Sequence, residues 1–191
     1  MRLVLASASP RRSELLRLAG FEFSVRSRPV EEVRREGEKP RDYAMRLARE
    51  KAEAAWGNVR VASDDEVVLG ADTIVVLDNR VLEKPADAGD ACQMLETLSG
   101  KSHIVITGIC LRHRRGAVVD AESTTVHFVP LDSAEIEAYV ASGEPMDKAG
   151  AYGIQGLASK FVDRIEGCYF NVMGLPLARV YRHWKALESG A

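Results

Sequence analysis

The stretch LASASPRRSELL, residues 5–16, decides how the N-terminal part of this chain folds. Its first residues complete the apolar run LVLA (3–6), which is typical of a buried strand. Ser9 and Pro10 then follow as the pair expected at an N-cap and a first helical position. The sequence therefore predicts a strand that passes directly into a helix, which ends at Gly20.

Two arginines, Arg11 and Arg12, occupy the first turn of that helix, where cations oppose the helix dipole. A strand-to-helix junction presents backbone N–H groups and a positive dipole end, and this combination binds anions. Ser7 and Ser9 are small enough to let a phosphate approach, and both can donate hydroxyl hydrogen bonds. The motif predicts a phosphate site; the alternative is a pair of solvated arginines, or arginines paired with Glu14.

Outward from this stretch, predicted strands and helices alternate along the chain. Further helices are predicted over 41–57, 87–100, 132–143 and 175–187, further strands over 21–25, 102–113, 117–131 and 161–165, and a loop over 26–40. Residues 66–85 contain two strand-like runs broken at Gly70–Asp72, with a hairpin turn at Asp78–Arg80. Because central strands also pair as hairpins, we expect a single α/β domain, residues 1–191, with a mixed sheet.

The composition is that of a globular protein and not of a general nucleic-acid binder. The chain has 191 residues, 46% of them hydrophobic, and a formal net charge of −2, whereas nucleic-acid-binding domains are broadly basic. Cys92, Cys110 and Cys168 are too dispersed for a disulfide scaffold or a structural zinc site. No apolar window is long enough for a membrane span or a secretion signal. We therefore expect a cytoplasmic protein without a membrane or a stable nucleic-acid partner.

A carboxylate interrupts the apolar run VVLGADTIVV, residues 67–76. Asp72 is unexpected there, because aspartate is depleted from strands and is rarely buried without a partner. Gly70, two residues earlier, indicates a bulge or the close approach of another backbone. Asp72 is predicted to bind Mg²⁺ or to take a proton from water; the alternative is a turn residue that caps its own backbone.

The segment EPMDKAGAYGIQG, residues 144–156, is rich in glycine and poor in apolar anchors. Such loops are either binding loops or passive connectors. Lys148 is suited to phosphate, and Gln155 carries the donor and acceptors needed to read the edge of a base. Four other charged residues have, on pattern alone, the character of solvated surface groups: Lys51, Lys84, Glu31 and Glu32.

These motifs together predict a cleft with anion-binding donors, carboxylates and a base-reading loop. That set of groups indicates hydrolysis of a phosphorylated small molecule with the help of a divalent metal.

Five segments, in order, resemble the Maf family of nucleotide pyrophosphatases: LASASPRRSELL, LAREKA, LGADTIVVLDNRVLEKP, SGKSHIVITGI and EPMDKAGAYGIQG. The resemblance runs from Leu3 to about Leu177. It implies a fold similar to that of inosine triphosphate pyrophosphatase, with an elongated mixed sheet, flanking helices and two lobes around a deep cleft. It also implies hydrolysis of a nucleoside triphosphate to the monophosphate and pyrophosphate, aided by Mg²⁺ or Mn²⁺.

The resemblance further implies roles for individual residues. Asp72 would activate the attacking water and contact the metal, which Glu32 would also hold. Phosphate contacts are implied for Ser9, Arg12, Lys51 and Lys84, the two lysines being counted with the catalytic groups, and specificity contacts for Arg11, Thr73 and Gln155.

Within the family, the form DKAGAYGIQG resembles the branch that acts on dTTP and UTP, including some modified pyrimidine triphosphates. Two alternatives stay open: a pyrophosphatase for 7-methyl-GTP or non-canonical nucleotides, and a nucleotide-binding regulator of cell division and septum formation. A homodimer is also left open.

Overall fold

The computed structural model describes residues 1–57 and 65–189. Within these residues a seven-stranded sheet has the order β2-β1-β3-β5-β6-β7, and β4 pairs with β3. The strands are β1 (Arg2–Leu5), β2 (Phe23–Val25), β3 (Glu66–Leu77), β4 (Arg80–Leu82), β5 (Ser102–His113), β6 (Gly116–Phe128) and β7 (Val162–Glu166). The helices are α1 (Pro10–Leu18), α2 (Pro40–Trp56), α3 (Ala88–Leu98), α4 (Ser133–Ala141), α5 (Tyr169–Val172) and α6 (Leu177–Glu188).

The sheet is mixed, as predicted. β1 pairs in parallel with β2 and with β3, so that Leu3 lies opposite both Phe23 and Val67. β4 pairs antiparallel with β3, and β7 antiparallel with β6. The predicted α/β class with a mixed sheet and flanking helices is therefore confirmed, while the short helix α5 was not predicted. The elongation and the deep cleft stay predictions.

Strand β3 runs without interruption through Gly70 and Asp72, so the predicted break between two strand-like runs is wrong. A Cβ atom at Gly70 would lie 2.1 Å from the carbonyl oxygen of Ala48 on α2. On β5, a Cβ atom at Gly108 would lie 2.3 Å from the carbonyl oxygen of Ala44 on the same helix. These glycines therefore mark the close approach of α2 to two strands and not the end of a strand.

The hairpin turn predicted after β3 is confirmed. Asp78 and Asn79 have φ values of +49° and +66°, and Leu77 pairs with Arg80. Two left-handed residues in a two-residue loop form the turn that matches the twist of the flanking strands. Arg80 therefore belongs to β4 and not to the turn.

The chain divides into two compact units. Unit 1 comprises Met1–Thr73, Thr107–Glu122 and Gly174–Ala191, and unit 2 comprises Ile74–Ile106 and Ser123–Met173. In unit 1, small apolar side chains pack α2 against the sheet: Val4, Ala6, Ala48, Ala52, Ala55, Val68 and Cys110. The small size of the alanines agrees with the short distance between α2 and the strands.

In unit 2, a larger apolar cluster includes residues of α3, α4 and the end of β6, among them Leu95, Ile136 and Phe128. Two short 3-10 helices, Glu144–Asp147 and Ala149–Ala151, lie within the glycine-rich segment after α4, and a third, Leu157–Phe161, follows it. The segment is therefore more ordered than its composition indicates.

Among the described residues, no helix combines the length and the apolar character that crossing a bilayer requires.

Candidate functional site

Helix α1 begins as the sequence predicts, with Ser9 at the N-cap and Pro10 as the first helical residue. The Ser9 side chain, however, makes no capping hydrogen bond, and the first turn contains no acidic residue. The hydroxyl of Ser7 instead accepts the backbone N–H of Ser9 at 3.2 Å. The start of α1 thus keeps the positive dipole end that favours an anion, and its own first turn supplies no acidic side chain to neutralise it.

Arg12 is held by three neutral oxygen acceptors. Its Nε donates to the carbonyl oxygen of Gly174 at 2.9 Å, Nη1 to Ser7 Oγ at 3.0 Å and Nη2 to Thr73 Oγ1 at 3.1 Å. For Arg12, the alternatives of a solvated side chain and of a pair with Glu14 are therefore both wrong. None of these three acceptors carries a charge, so the guanidinium is oriented without being neutralised by them.

Burial and neighbouring charges, among them those of Asp72 and Arg11, affect the pKa of the Arg12 guanidinium. Burial lowers the pKa of Arg12 from its ordinary value, the nearby charge of Asp72 opposes this effect, and Arg11 adds to it. Arg11 itself is partly buried in the same turn of α1. Two cations therefore stand close together at a helix start, an arrangement that an arriving anion would relieve.

Two residues that were not predicted from the sequence also lie at this site: Gly174, which contacts Arg12, and Thr107, which contacts Thr73. Thr107 on β5 is fully buried, and its Oγ1 lies 3.0 Å from Thr73 Oγ1. The carbonyl oxygen of Gly174 accepts from Arg12 and, at 3.4 Å, from Thr73. Gly174 has a φ of +112°, which favours glycine. A hydroxyl inside the apolar run HIVITGI was a usable signal for Thr107; for Gly174 the sequence offered no comparable signal.

Asp72 is buried on β3, with 5% of its surface exposed, and its Oδ1 accepts from Lys51 Nζ at 2.5 Å. The same ammonium lies 2.6 Å from Glu32 Oε1. Lys51 comes from α2 and is largely shielded from solvent, so its interpretation as a solvated charge is wrong. Because Asp72 lies within a strand, the alternative of a turn residue that caps itself is also wrong.

Glu32 reaches Lys51 from the loop that joins β2 to α2, where a loop was predicted. Its backbone is fixed, because the hydroxyl of the buried Tyr43 donates to the Glu32 carbonyl oxygen at 3.0 Å. The Glu32 side chain remains 43% exposed, so it is accessible as well as paired. Glu31, next to it, is exposed, as predicted.

The carboxylates of Asp72 and Glu32 suit a metal ion that is also bound by the phosphates of the substrate. In the described part of the chain, no three His, Cys, Asp or Glu side chains are grouped so that they could hold an ion. Magnesium is commonly bound through one or two carboxylates together with substrate phosphates. Asp72 and Glu32 meet at a single ammonium group, and this pair fits that mode of binding.

The residues predicted in unit 2 belong to a second group. Gln155 is exposed within the turn that follows Ile154. Lys148 donates to the carbonyl oxygen of Glu144 at 2.5 Å and to Asp147 Oδ1 at 2.7 Å. Its ammonium is therefore engaged by its own loop in this structure.

Lys84 follows β4 and is exposed, as its pattern predicts. The backbone N–H of Gly150 donates to the carbonyl oxygen of Glu83 at 3.0 Å. The segment that carries Lys84 is thus attached to the loop that carries Lys148 and Gln155.

The predicted site residues therefore fall into two sets. Unit 1 contains Ser7, Ser9, Arg11, Arg12, Glu32, Lys51, Asp72 and Thr73. Unit 2 contains Lys84, Lys148 and Gln155.

Comparison with known proteins adds an independent observation. A family model described as Maf-like protein matches residues 2–187. The chain is similar to several curated proteins named dTTP/UTP pyrophosphatase. That of Koribacter versatilis is 55% identical over 182 residues, which cover 95% of this chain and 92% of the relative. That of Syntrophomonas wolfei is 52% identical over 179 residues, covering 93% of each. That of Bacillus cytotoxicus is 47% identical over 190 residues, covering 100% of this chain and 97% of the relative.

Proposed function

This chain belongs to the Maf family, and from that membership we propose that it is a pyrophosphatase acting on dTTP and UTP, and on some modified pyrimidine triphosphates. The products are the nucleoside monophosphate and pyrophosphate. The relatives named dTTP/UTP pyrophosphatase support the substrate. The observation that carries the chemistry is the buried Asp72 carboxylate, bound at 2.5 Å to Lys51.

Asp72 is the group we assign to water activation. Its carboxylate takes a proton from the water whose oxygen attacks the α-phosphorus, while the bond from that phosphorus to the pyrophosphate oxygen breaks. Lys51 fixes the carboxylate by its hydrogen bond and adds a positive charge beside it.

The cations of unit 1 are assigned to the phosphates. Arg12 is already oriented by Ser7, Thr73 and Gly174, so its side chain loses little conformational entropy when it binds the anion. Oriented donors stabilise the charge that builds up on phosphate oxygens in the transition state. Bound Mg²⁺ or Mn²⁺ would neutralise further phosphate charge, with Asp72 and Glu32 as its protein ligands.

Further substrate contacts are assigned to three residues of unit 2 and three of unit 1. Gln155 reads the base, since an exposed amide offers both donor and acceptor atoms to a pyrimidine edge. The remaining contacts are phosphate contacts for Lys84, Lys148 and Ser9, and specificity contacts for Arg11 and Thr73.

The proposal is tested by measuring pyrophosphate and phosphate release from dTTP, UTP, CTP, dATP, GTP and 7-methyl-GTP, with Mg²⁺ or Mn²⁺. Asp72→Asn keeps the shape of the side chain and removes its basicity. Asp163→Asn is the matched control, because Asp163 is an exposed residue of β7. We expect pyrophosphate from dTTP and UTP with the wild type and with Asp163→Asn, and at least a hundredfold lower kcat with Asp72→Asn.

Other results reject specific parts of the proposal. Turnover of 7-methyl-GTP alone would retain the reaction and reject the substrate assignment. Release of orthophosphate in place of pyrophosphate would reject attack at the α-phosphorus. A folded protein that is inactive on every nucleotide would reject the enzyme itself and leave a nucleotide-binding regulator.

A further inference from the structure

Glu144, the first residue of the loop that leads to Gln155, places its carboxylate inside that loop. Oε1 accepts from the hydroxyl of Tyr139 on α4 at 3.1 Å. Oε2 accepts from the backbone N–H of Leu157 at 3.0 Å. The carboxylate is thus fixed on one side by a helix residue that is itself buried and contacts the far end of the loop on the other.

The carboxylate also lies directly against Gly156. A Cβ atom at Gly156 would be 2.1 Å from Glu144 Oε1 and 2.4 Å from its Cδ. No ordinary side chain fits at position 156 while Glu144 keeps this place. Gly156 and Leu157 are the two residues that follow Gln155, so the Glu144 carboxylate holds the backbone on which Gln155 is presented.

The main chain of Glu144 takes part in the same arrangement. Its carbonyl oxygen accepts from Lys148 Nζ at 2.5 Å. The aliphatic part of Lys148 covers Gly153, where a Cβ atom would lie 2.7 Å from Lys148 Cε. Glu144 therefore contacts the loop both before and after Gln155, while Gln155 itself stays exposed.

We propose that Glu144 is a positioning residue for base selection: its carboxylate fixes Gly156 and Leu157 and so holds Gln155 where it discriminates between pyrimidine bases. This inference rests on the proposed function, in which Gln155 reads the base. A side chain that reads a base by hydrogen bonds discriminates well only if its position is fixed before the substrate arrives. Glu144 touches neither substrate nor reacting atoms in this proposal.

The first test compares kcat/KM for dTTP with kcat/KM for CTP, two nucleotides whose bases differ at the hydrogen-bonding edge. Glu144→Ala leaves the Tyr139 hydroxyl and the Leu157 N–H without their partner. We expect the dTTP-to-CTP ratio to fall about tenfold, which corresponds to one poorly presented hydrogen bond. We expect kcat at saturating dTTP to change much less than this ratio.

Two further variants serve as controls. Glu144→Gln should retain most of the ratio, because its amide oxygen can accept from Leu157 N–H while its NH₂ donates to the Tyr139 oxygen. Glu137→Gln, on the exposed side of α4, should not change the ratio. A dTTP-to-CTP ratio in Glu144→Ala equal to that of the wild type would overturn the proposal.

A double-variant cycle tests the contact itself. Gly156→Ala forces a methyl group against the Glu144 carboxylate and should lower the ratio. In the variant that carries both Gly156→Ala and Glu144→Ala the carboxylate is gone, so the second substitution should add little to the first. Fully additive effects would show that Glu144 and Gly156 act separately and would overturn the proposal.

Gln155→Ala separates failure of this inference from failure of the proposed function. If Gln155→Ala lowers the dTTP-to-CTP ratio and Glu144→Ala does not, only the positioning role is rejected. If neither changes the ratio although the wild type prefers dTTP, the base-reading role of Gln155 is rejected, and the positioning role with it. Hydrogen exchange at the Leu157 amide gives a readout without activity: it should be faster in Glu144→Ala and unchanged in Glu137→Gln.

Discussion

The residues of unit 1 that are proposed to bind phosphate and the loop of unit 2 that is proposed to read the base are held in place in different ways. Arg12, Lys51 and Asp72 come from α1, α2 and β3, and their partners are distant in sequence. The loop around Gln155 combines contacts among residues 139–157 with contacts to Glu83 and His103. The first group therefore depends almost entirely on partners distant in sequence, whereas many of the contacts that shape the second are local.

This difference separates two kinds of functional effect. A change in the unit 1 group should affect every nucleotide alike, because all nucleoside triphosphates present the same phosphates. A change in the loop should alter the ratio between nucleotides. The largest effects are accordingly expected in unit 1, and the following experiments test where this separation holds.

Arg12→Ala should give the largest effect, on the order of a thousandfold lower kcat/KM, and equally for dTTP, UTP and CTP. It removes an oriented charge that Ser7, Thr73 and Gly174 hold in place. Arg17→Ala, an exposed cation in the last turn of α1, is the control and should keep the activity. A loss of activity confined to one nucleotide would assign Arg12 to base selection. It would contradict the expectation that unit 1 residues affect all nucleotides alike.

The next effect is on stability and concerns His103 in unit 2. Burial, with a smaller contribution from the charge of His127, lowers the pKa of His103 from 6.5 to about 4. The folded state therefore binds fewer protons than the unfolded state between these values. For this group, the free energy of unfolding is therefore at its full value above pH 6.5. It falls by about 3 kcal/mol as the pH drops from 6.5 to 4.

Unfolding by urea between pH 7 and pH 3 measures this window. His103→Phe keeps an aromatic ring beside Phe128 and Tyr152 and should flatten the curve between pH 6.5 and 4. In unit 1, the hydrogen bond from Arg46 lowers the pKa of Glu38 to about 2, so Glu38→Gln should alter the curve only below about pH 4.5. A wild-type curve that is flat between pH 6.5 and 4 would contradict the assignment to His103.

Thr107→Val should give the smallest of the three effects. Valine has nearly the same shape but no hydroxyl, so Thr73 Oγ1 loses the partner that lies at 3.0 Å. Because Thr73 accepts from Arg12, we expect kcat/KM to fall about tenfold for all nucleotides. Thr107→Ser restores the hydroxyl and should recover most of the activity; if it behaves like Thr107→Val, the hydroxyl has no part in the effect.

Much of the fold was predictable from the sequence, because periodicity and turn residues act locally. Ser9-Pro10 set the start of α1, and Asp78-Asn79 set the hairpin. The predicted strand break at Gly70–Asp72 was wrong, whereas the predicted close approach of another backbone to Gly70 is confirmed. The sequence did not identify that backbone as Ala48 on α2. Local pattern records that an unusual residue is present, but it does not identify the neighbour that requires it.

The same limit applies to the candidate site. Asp72 stood out because a carboxylate in an apolar run needs a partner, yet the identity of that partner as Lys51 required the fold. Glu144 was missed because a glutamate at the start of a glycine-rich loop is ordinary, whereas the hydroxyl of Thr107 inside an apolar run was a signal that was not used. Their importance lies in single contacts, with Leu157 and with Thr73 respectively, that no spacing rule encodes.

The two glycines beneath α2 also limit how this protein can be engineered. Exchanging glycine for alanine is a common route to heat resistance, because it restricts the unfolded chain. At Gly70 a methyl group would meet the Ala48 carbonyl oxygen at 2.1 Å and push α2 away from β3. Lys51 would move with α2 while Asp72 stays on β3, so the distance from Lys51 Nζ to Asp72 Oδ1 would increase from its present 2.5 Å. A position without a side chain thus sets the spacing of the proposed catalytic pair, and a thermostabilised variant must leave it unchanged.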